Sequence, residues 1–249
     1  MVINSIDDYM KMNIWIDIGT HSGQEYNSIF GSNFIFYIKV IKNLLLKKIV
    51  NFKEIINLIN LRNKIKNKRN EFFIIFVEAN YKIILKKKVY NEAEMIFNFA
   101  LTDNKNQNSF NLIKLYFLRN QNQISQGSSI YKNKANINEK DYILTHGVSV
   151  DSFMQSIKKE LDKRFLDYNI ILRLNCEGVE DSVIYSAYKY FNKDLKIISG
   201  SLKDVKYIKG ENVYKNLEQF MKDKNIINTV FTPNTNSWFE TFKEFNKLI

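Results

Sequence analysis

Six short apolar runs set the rhythm of the chain, and the first four stop at polar residues. Ile14-Trp15-Ile16 ends at Asp17 and a glycine-bearing turn from Gly19 to Gly23, and Phe72 to Val77 ends at Glu78. Met95 to Leu101 ends at Thr102-Asp103, and Ile170 to Leu174 runs into Asn175-Cys176-Glu177-Gly178. Leu195 to Ile198 and Asn228 to Phe231 complete the set. Runs this short and this apolar suit parallel strands covered on both faces. Helical spacing lies between them. Phe153, Met154, Ile157, Leu161 and Phe165 fall on one face of a helix over 151–165, and Val183, Ile184, Ala187, Tyr188 and Phe191 do the same over 181–191. Glu180 and Asp181 suit the N-terminus of the latter, and 212–222 forms a third helix. Strands alternating with helices predict an α/β domain: a doubly wound, mostly parallel Rossmann-like sheet with helices on both faces.

Two stretches break that rhythm. Residues 104–140 are polar, rich in Asn and Gln and weakly periodic, which predicts a surface excursion or an active-site loop. The other lies between the first two runs. Asp17 and Glu78 are 61 positions apart, whereas a one-helix crossover needs roughly 20–30. The surplus predicts an inserted helical element over 32–70, within a single domain spanning residues 1–249. Ile41, Leu45, Ile49, Phe52, Ile56 and Ile59 step through it at helical spacing, an apolar face expected to pack on the core with a solvated basic face opposite.

Charge singles out the same region. The 249 residues carry 37 Lys and Arg against 26 Asp and Glu, a net +11. Residues 38–88 hold twelve Lys and two Arg against three Glu, so the whole excess sits there. An anionic partner such as an acidic glycan, a nucleic acid or a membrane surface fits that excess. So does drift in a chain rich in Lys, Asn and Ile. Hydrophobic residues at 45% provide a core and exclude a disordered chain. The single Cys176 excludes an internal disulfide framework or a Cys-rich zinc site. Acids at Asp7 and Asp8 precede any apolar run, unlike a secretory signal, and lysines interrupt the greasiest stretch, 34–50, against a membrane span. The expectation is a soluble, cytoplasmic protein.

In such folds ligands bind at the carboxyl ends of the strands, so the residues where the runs stop carry the chemistry. Gly19 and Gly23 permit a tight turn that brings backbone close to a ligand, or serve only the strand–helix connection. Glu78, at the end of the second run, is placed to accept hydrogen bonds from both ribose hydroxyls of an adenosine-containing ligand, or is a surface glutamate. Asp103 ends the third run, where an adenine edge would lie. His21 interrupts the G-x-G-x-x-G pattern of dinucleotide sites, and no G-x-x-x-x-G-K-[ST] sequence occurs.

Four stretches together resemble the FkbM-type S-adenosylmethionine-dependent methyltransferases, over about Ile14 to Tyr190. They are Trp15-Ile16-Asp17-Ile18-Gly19 through Gly23; Phe76-Val77-Glu78-Ala79-Asn80; Phe99-Ala100-Leu101-Thr102-Asp103; and Ser149-Val150-Asp151-Ser152-Phe153 with Leu172-Arg173-Leu174-Asn175-Cys176-Glu177-Gly178-Val179-Glu180. The resemblance implies S-adenosylmethionine as cofactor, held by Asp17, Gly19, Thr20, Gly23 and Glu78 with Asp103 near the adenine. It also implies methyl transfer to a hydroxyl of a saccharide or other small molecule. The family's Lys-x-Asp is here Arg173 and Asn175. Asn175 orients a substrate but takes no proton, leaving Glu177, His21 and His146 as candidate bases. The alternatives are a cofactor-binding scaffold with little catalysis, or a methyltransferase acting on nucleic acid. The latter is disfavoured, because no Asn/Asp-Pro-Pro-Tyr/Phe sequence occurs and the one proline is Pro233.

Overall fold

The computed structural model describes residues 11–45, 52–103, 111–230, 245, 247 and 248. The expectations about residues 1–10, the 46–51 part of the insert, residues 104–110, Phe231 and Pro233 lie outside these residues. Six parallel strands form the central sheet: β1 (Met12–Ile18), β2 (Phe72–Val77), β3 (Met95–Phe97), β7 (Tyr168–Leu174), β8 (Leu195–Gly200) and β9 (Asn228–Val230). Their spatial order is β3-β2-β1-β7-β8-β9. Strand order therefore reverses between β1 and β7, the switch point at which Rossmann-like sheets open a crevice.

Alternation along β1 explains why the sheet is covered twice. Ile14, Ile16 and Ile18 join one core cluster, whereas Trp15 joins the other. The first cluster is closed by α5 (Val150–Arg164), α6 (Glu180–Phe191) and α8 (Glu211–Asp223). The second is closed by α1 (Gln24–Ile29), α2 (Asn33–Leu45), α3 (Phe52–Asn67) and α4 (Tyr81–Lys86), with Phe245 set edge-on against Trp15. A further helix, α7 (Lys203–Lys209), follows β8.

The predicted third run divides. Met95–Phe97 edges the main sheet, while β4 (Ala100–Thr102) pairs with β6 (Ile137–Ser149) in a second sheet completed by β5 (Asn111–Leu118). The polar residue inside the run marks the break: Asn98 Nδ2 donates to the Glu78 carbonyl at 2.8 Å. The stretch expected as loop over 104–140 thus contains β5 and the start of β6, an antiparallel pair. Exposed Leu112 and Lys114 alternate with half-buried neighbours in the first half of β5 before Leu115 to Phe117 are all buried, so neither β5 nor the start of β6 shows a regular alternation to read.

The crossover from β1 to β2 does carry extra helix, but its packing differs from expectation. Phe36 and Val40 of α2, with Leu58 and Ile65 of α3, reach the core. Ile41, Leu45 and Ile56, expected to face it, are exposed. Ile59 packs only partly, and Ile49 and the Phe52 side chain lie outside the described residues. Part of the basic run is also spent internally. Arg62 is buried, donating to the carbonyls of Ser28 and Gly31 at 2.8 and 2.7 Å and to Asn33 Oδ1 at 2.8 Å, with Phe36 under its guanidinium. Lys66 bonds to the Gly31 carbonyl, Lys68 pairs with Glu71, and Arg69 bonds to the Phe72 and Glu92 carbonyls. Among the described residues no helix is long and apolar enough to cross a membrane.

Candidate functional site

The tips of β1, β2 and β7 meet around a cavity lined by Gly19, His21, Glu78, Asn175 and Glu177, with Cys176 between the last two. Backbone bonds continue past the strands and hold these tips together. Asn175 N–H donates to the Ile18 carbonyl, and Gly19 N–H to the Val77 carbonyl, both at 2.9 Å. Gly19 adopts φ +75°, and a Cβ there would lie 2.1 Å from the Asn175 carbonyl oxygen. Gly23, at φ +59°, would strike Val89 at 2.5 Å and lies outside the cavity lining. Both glycines are therefore required by the strand–helix connection, whether or not backbone also approaches a ligand.

Glu78 is 6% exposed and faces the turn. One carboxylate oxygen accepts from the His21 backbone N–H and the other from the Asn80 backbone N–H, each at 2.9 Å. Burial raises its pKa, while those N–H groups, led by Asn80, pull it back. Each oxygen retains a lone pair, so the group can still accept from two hydroxyls.

Asp17 takes a different place from the one expected. It points to the opposite face from Ile18, fully buried, beside its cross-strand neighbour Arg173. Arg173 Nη1 donates to Asp17 Oδ1 at 3.0 Å and to the Gly19 carbonyl at 2.8 Å, and Nη2 pairs with Glu25 at 3.1 Å. One cation thus serves two acids. Burial, with Glu25 adding to it against Arg173, pushes Asp17 up to about 7, and its Oδ2 has no hydrogen-bond partner. Burial works against the Arg173 charge, but Asp17 and Glu25 outweigh it and raise its pKa.

Thr20 likewise turns inward, its hydroxyl donating to the Asp17 carbonyl at 2.8 Å. Asp103 lies outside the cavity lining, although Ala100 and Leu101 of β4 belong to it. Its carboxylate accepts from the Tyr131 hydroxyl at 2.8 Å and pairs with Lys209 at 3.0 Å. His146 sits on β6 opposite Leu112, outside the cavity lining. The cavity therefore gathers Gly19, His21, Glu78, Asn175 and Glu177, and leaves Asp17, Thr20, Gly23 and Asp103 as framework.

His21 Nε2 lies 2.8 Å from the Ile124 carbonyl. That acceptor requires the proton on Nε2, so Nδ1, buried and without a partner, presents a bare lone pair. Burial lowers the imidazole pKa and keeps the ring neutral. Glu177 sits in the left-handed region at φ +60°. Burial first, then a hydrogen bond that its protonated carboxyl donates to Asp204, pushes its pKa up to about 7 against the pull of Lys134, with which it pairs. Lys134 and Asp204 carried no sequence signal, since neither ends a strand.

A strap from the β5–β6 connection roofs the cavity through Gln126 to Ile130. Asn80 Nδ2 donates to the Gln123 carbonyl at 2.6 Å, the Ser129 hydroxyl to the Glu177 carbonyl at 2.7 Å, and Lys134 Nζ to the Gly127 carbonyl at 2.9 Å. The enclosed space is about 60 Å³, room for a couple of waters. Pockets that bury a drug-sized ligand hold roughly 300–1,000 Å³. The donor set suits a ribose, but the closed strap does not leave room for one.

No protein-family model, curated protein or solved structure matches the chain. Its class rests on the fold and the strand-tip geometry: a Rossmann-like α/β domain with a carboxylate facing a glycine turn at the switch point.

The double role of Glu78 is open to test. In Glu78→Gln an amide NH2 must oppose one of the two backbone N–H donors, so the folded state should lose about 1–3 kcal/mol by urea denaturation. Unchanged stability would mean that the carboxylate does not hold the turn.

Proposed function

We propose that the chain is a cytoplasmic S-adenosylmethionine-dependent methyltransferase of the FkbM type, acting on a hydroxyl of a saccharide or other small-molecule acceptor. The observation that carries this reading is Glu78, buried at the tip of β2 and turned toward the His21 N–H across the switch-point cavity. A carboxylate so placed accepts from a ribose diol with the lone pairs that the backbone leaves unused. Strand-tip crevices beside such an acid are the usual seat of adenosine-containing ligands.

When bound, the cofactor supplies an electrophilic methyl group on sulfur. Gly19 and Asn175 form the floor of the cavity, and Glu78 orients the sugar. The Gln126–Ile130 strap must swing aside to admit ligand and stay displaced while the ligand is bound. In the closed state the hydrogen bonds of the strap to Asn80, Glu177 and Lys134 keep the site compact.

Asn175 cannot accept a proton, so the base is Glu177. Its pKa near 7 matches a group that must be ionised yet still basic at neutral pH. Lys134 and Asp204 set that value from opposite sides. His21 Nδ1 is a second lone pair in the same cavity, but its ring is already engaged with the strap.

Titration calorimetry with S-adenosylhomocysteine tests the cofactor reading. The chain should bind one equivalent, and Glu78→Ala should weaken binding by roughly 10–100-fold, the loss of a charge-assisted acceptor. No heat at millimolar ligand (on the order of 1 mM) would exclude the reading, since that limit corresponds to only about 4 kcal/mol of binding energy.

The base assignment predicts a pH dependence of a definite sign. Glu177 is protonated below its pKa, so kcat with a saccharide acceptor should rise with pH and level off above about 7. Glu177→Gln should abolish that limb and reduce kcat by roughly 100-fold or more. An unchanged limb in the variant would assign the proton to another group.

A further inference from the structure

We infer that α2 is an anionic-membrane docking surface, a helix that lies in the lipid headgroup region with its apolar stripe inward. The inference is independent of the cofactor reading. Of its thirteen residues, Phe36 and Val40 hold α2 to the body of the protein. On the opposite side Phe34, Ile38, Ile41 and Leu45 recur at steps of four, three and four, with exposures of 73, 49, 57 and 76%. Tyr37 and Leu44 widen this stripe. It runs about 17 Å along the helix, given a rise of 1.5 Å per residue.

Exposed apolar side chains scattered singly need no explanation, but a continuous stripe of this kind marks a contact surface. The surrounding charge says which kind. Lys42 borders the stripe, and exposed Lys53 and Lys64 lie on the adjacent α3 with exposed Ile56. An in-plane helix binds a bilayer by burying its apolar side while lysines meet anionic headgroups, and both components are present here.

A second copy of the chain fits less well. A two-fold contact places the same patch on both sides, so it would press two strongly basic segments together. Nucleic acid would use the lysines but leave the aliphatic stripe in water. A lipid surface satisfies both.

Co-sedimentation with vesicles tests this directly. The full chain should partition onto vesicles of phosphatidylglycerol and phosphatidylcholine at least roughly tenfold better than onto phosphatidylcholine alone, and less so as salt rises. The double substitution Ile41→Ser with Leu45→Ser should reduce partitioning by roughly tenfold or more. Its circular dichroism and thermal midpoint should stay unchanged, because both side chains are already exposed. Should that variant misfold, Lys42→Glu with Lys53→Glu provides the independent readout and should also lose binding. The proposal is overturned if the wild-type chain does not sediment with anionic vesicles at low salt, or if a folded stripe variant binds as the wild type does. It is equally overturned if light scattering shows a wild-type dimer that the stripe variant dissolves.

Discussion

Arg173 is the residue on which the strand-tip arrangement depends. It lies buried on β7 at the switch point, hydrogen-bonds at once to Asp17 on β1 and to the Gly19 carbonyl in the turn, and pairs in charge with Glu25 on α1, while its Nε has no hydrogen-bond partner. A buried guanidinium is tolerable only where fixed acceptors replace its water, and here two acids and a carbonyl do so. The arrangement costs Asp17 its ordinary acidity, since one cation cannot fully neutralise two carboxylates in a desolvated space. In return the first and fourth strands of the sheet end in a fixed register, with the Gly19 turn pressed against Asn175. Everything that faces the cavity is mounted on that frame.

The cavity residues then divide into those that build the frame and those that remain available. Glu78 does both, because its two oxygens secure the His21 turn and Asn80 while keeping lone pairs toward the cavity. The strap accounts for the small enclosed volume: side-chain hydrogen bonds at Asn80, Glu177 and Lys134 tie it down, together with the reciprocal Ser129–Tyr116 backbone bonds and the packing of Ile124 and Ile130 on the two cores. Ligand entry therefore requires these contacts to be released together, as a local opening of the segment. Closure and ligand entry are therefore two states of one segment, and Glu177 touches the strap in the closed one.

Much of this was legible in the order of residues, and the exceptions have identifiable causes. Strand β2 is apolar throughout and β1, β7 and β8 are mostly so because both faces of the sheet are covered, and that pattern needs no context to read. Glu78, Asn175 and Glu177 were legible for the same reason: each follows directly on a buried strand. The place of Asp17 was not legible, because position along a strand does not say which face a side chain takes and its partner Arg173 is distant in sequence. Nor was that of Asp103, whose partners Tyr131 and Lys209 come from segments far along the chain. The strap, Lys134 and Asp204 come from segments without periodicity. For α2 and α3, helical spacing identified the helices but not their inner faces, which Phe36 and Leu58 decide by reaching the sheet.

The central claim is that the strand tips hold an adenosyl ligand once the strap has yielded. Hydrogen–deuterium exchange with and without S-adenosylhomocysteine tests it most directly. The account predicts slower exchange across residues 19–23 and 78–80 together with faster exchange at Ser129, whose amide bonds to the Tyr116 carbonyl in the closed state. Identical exchange in all three regions at saturating ligand would contradict it.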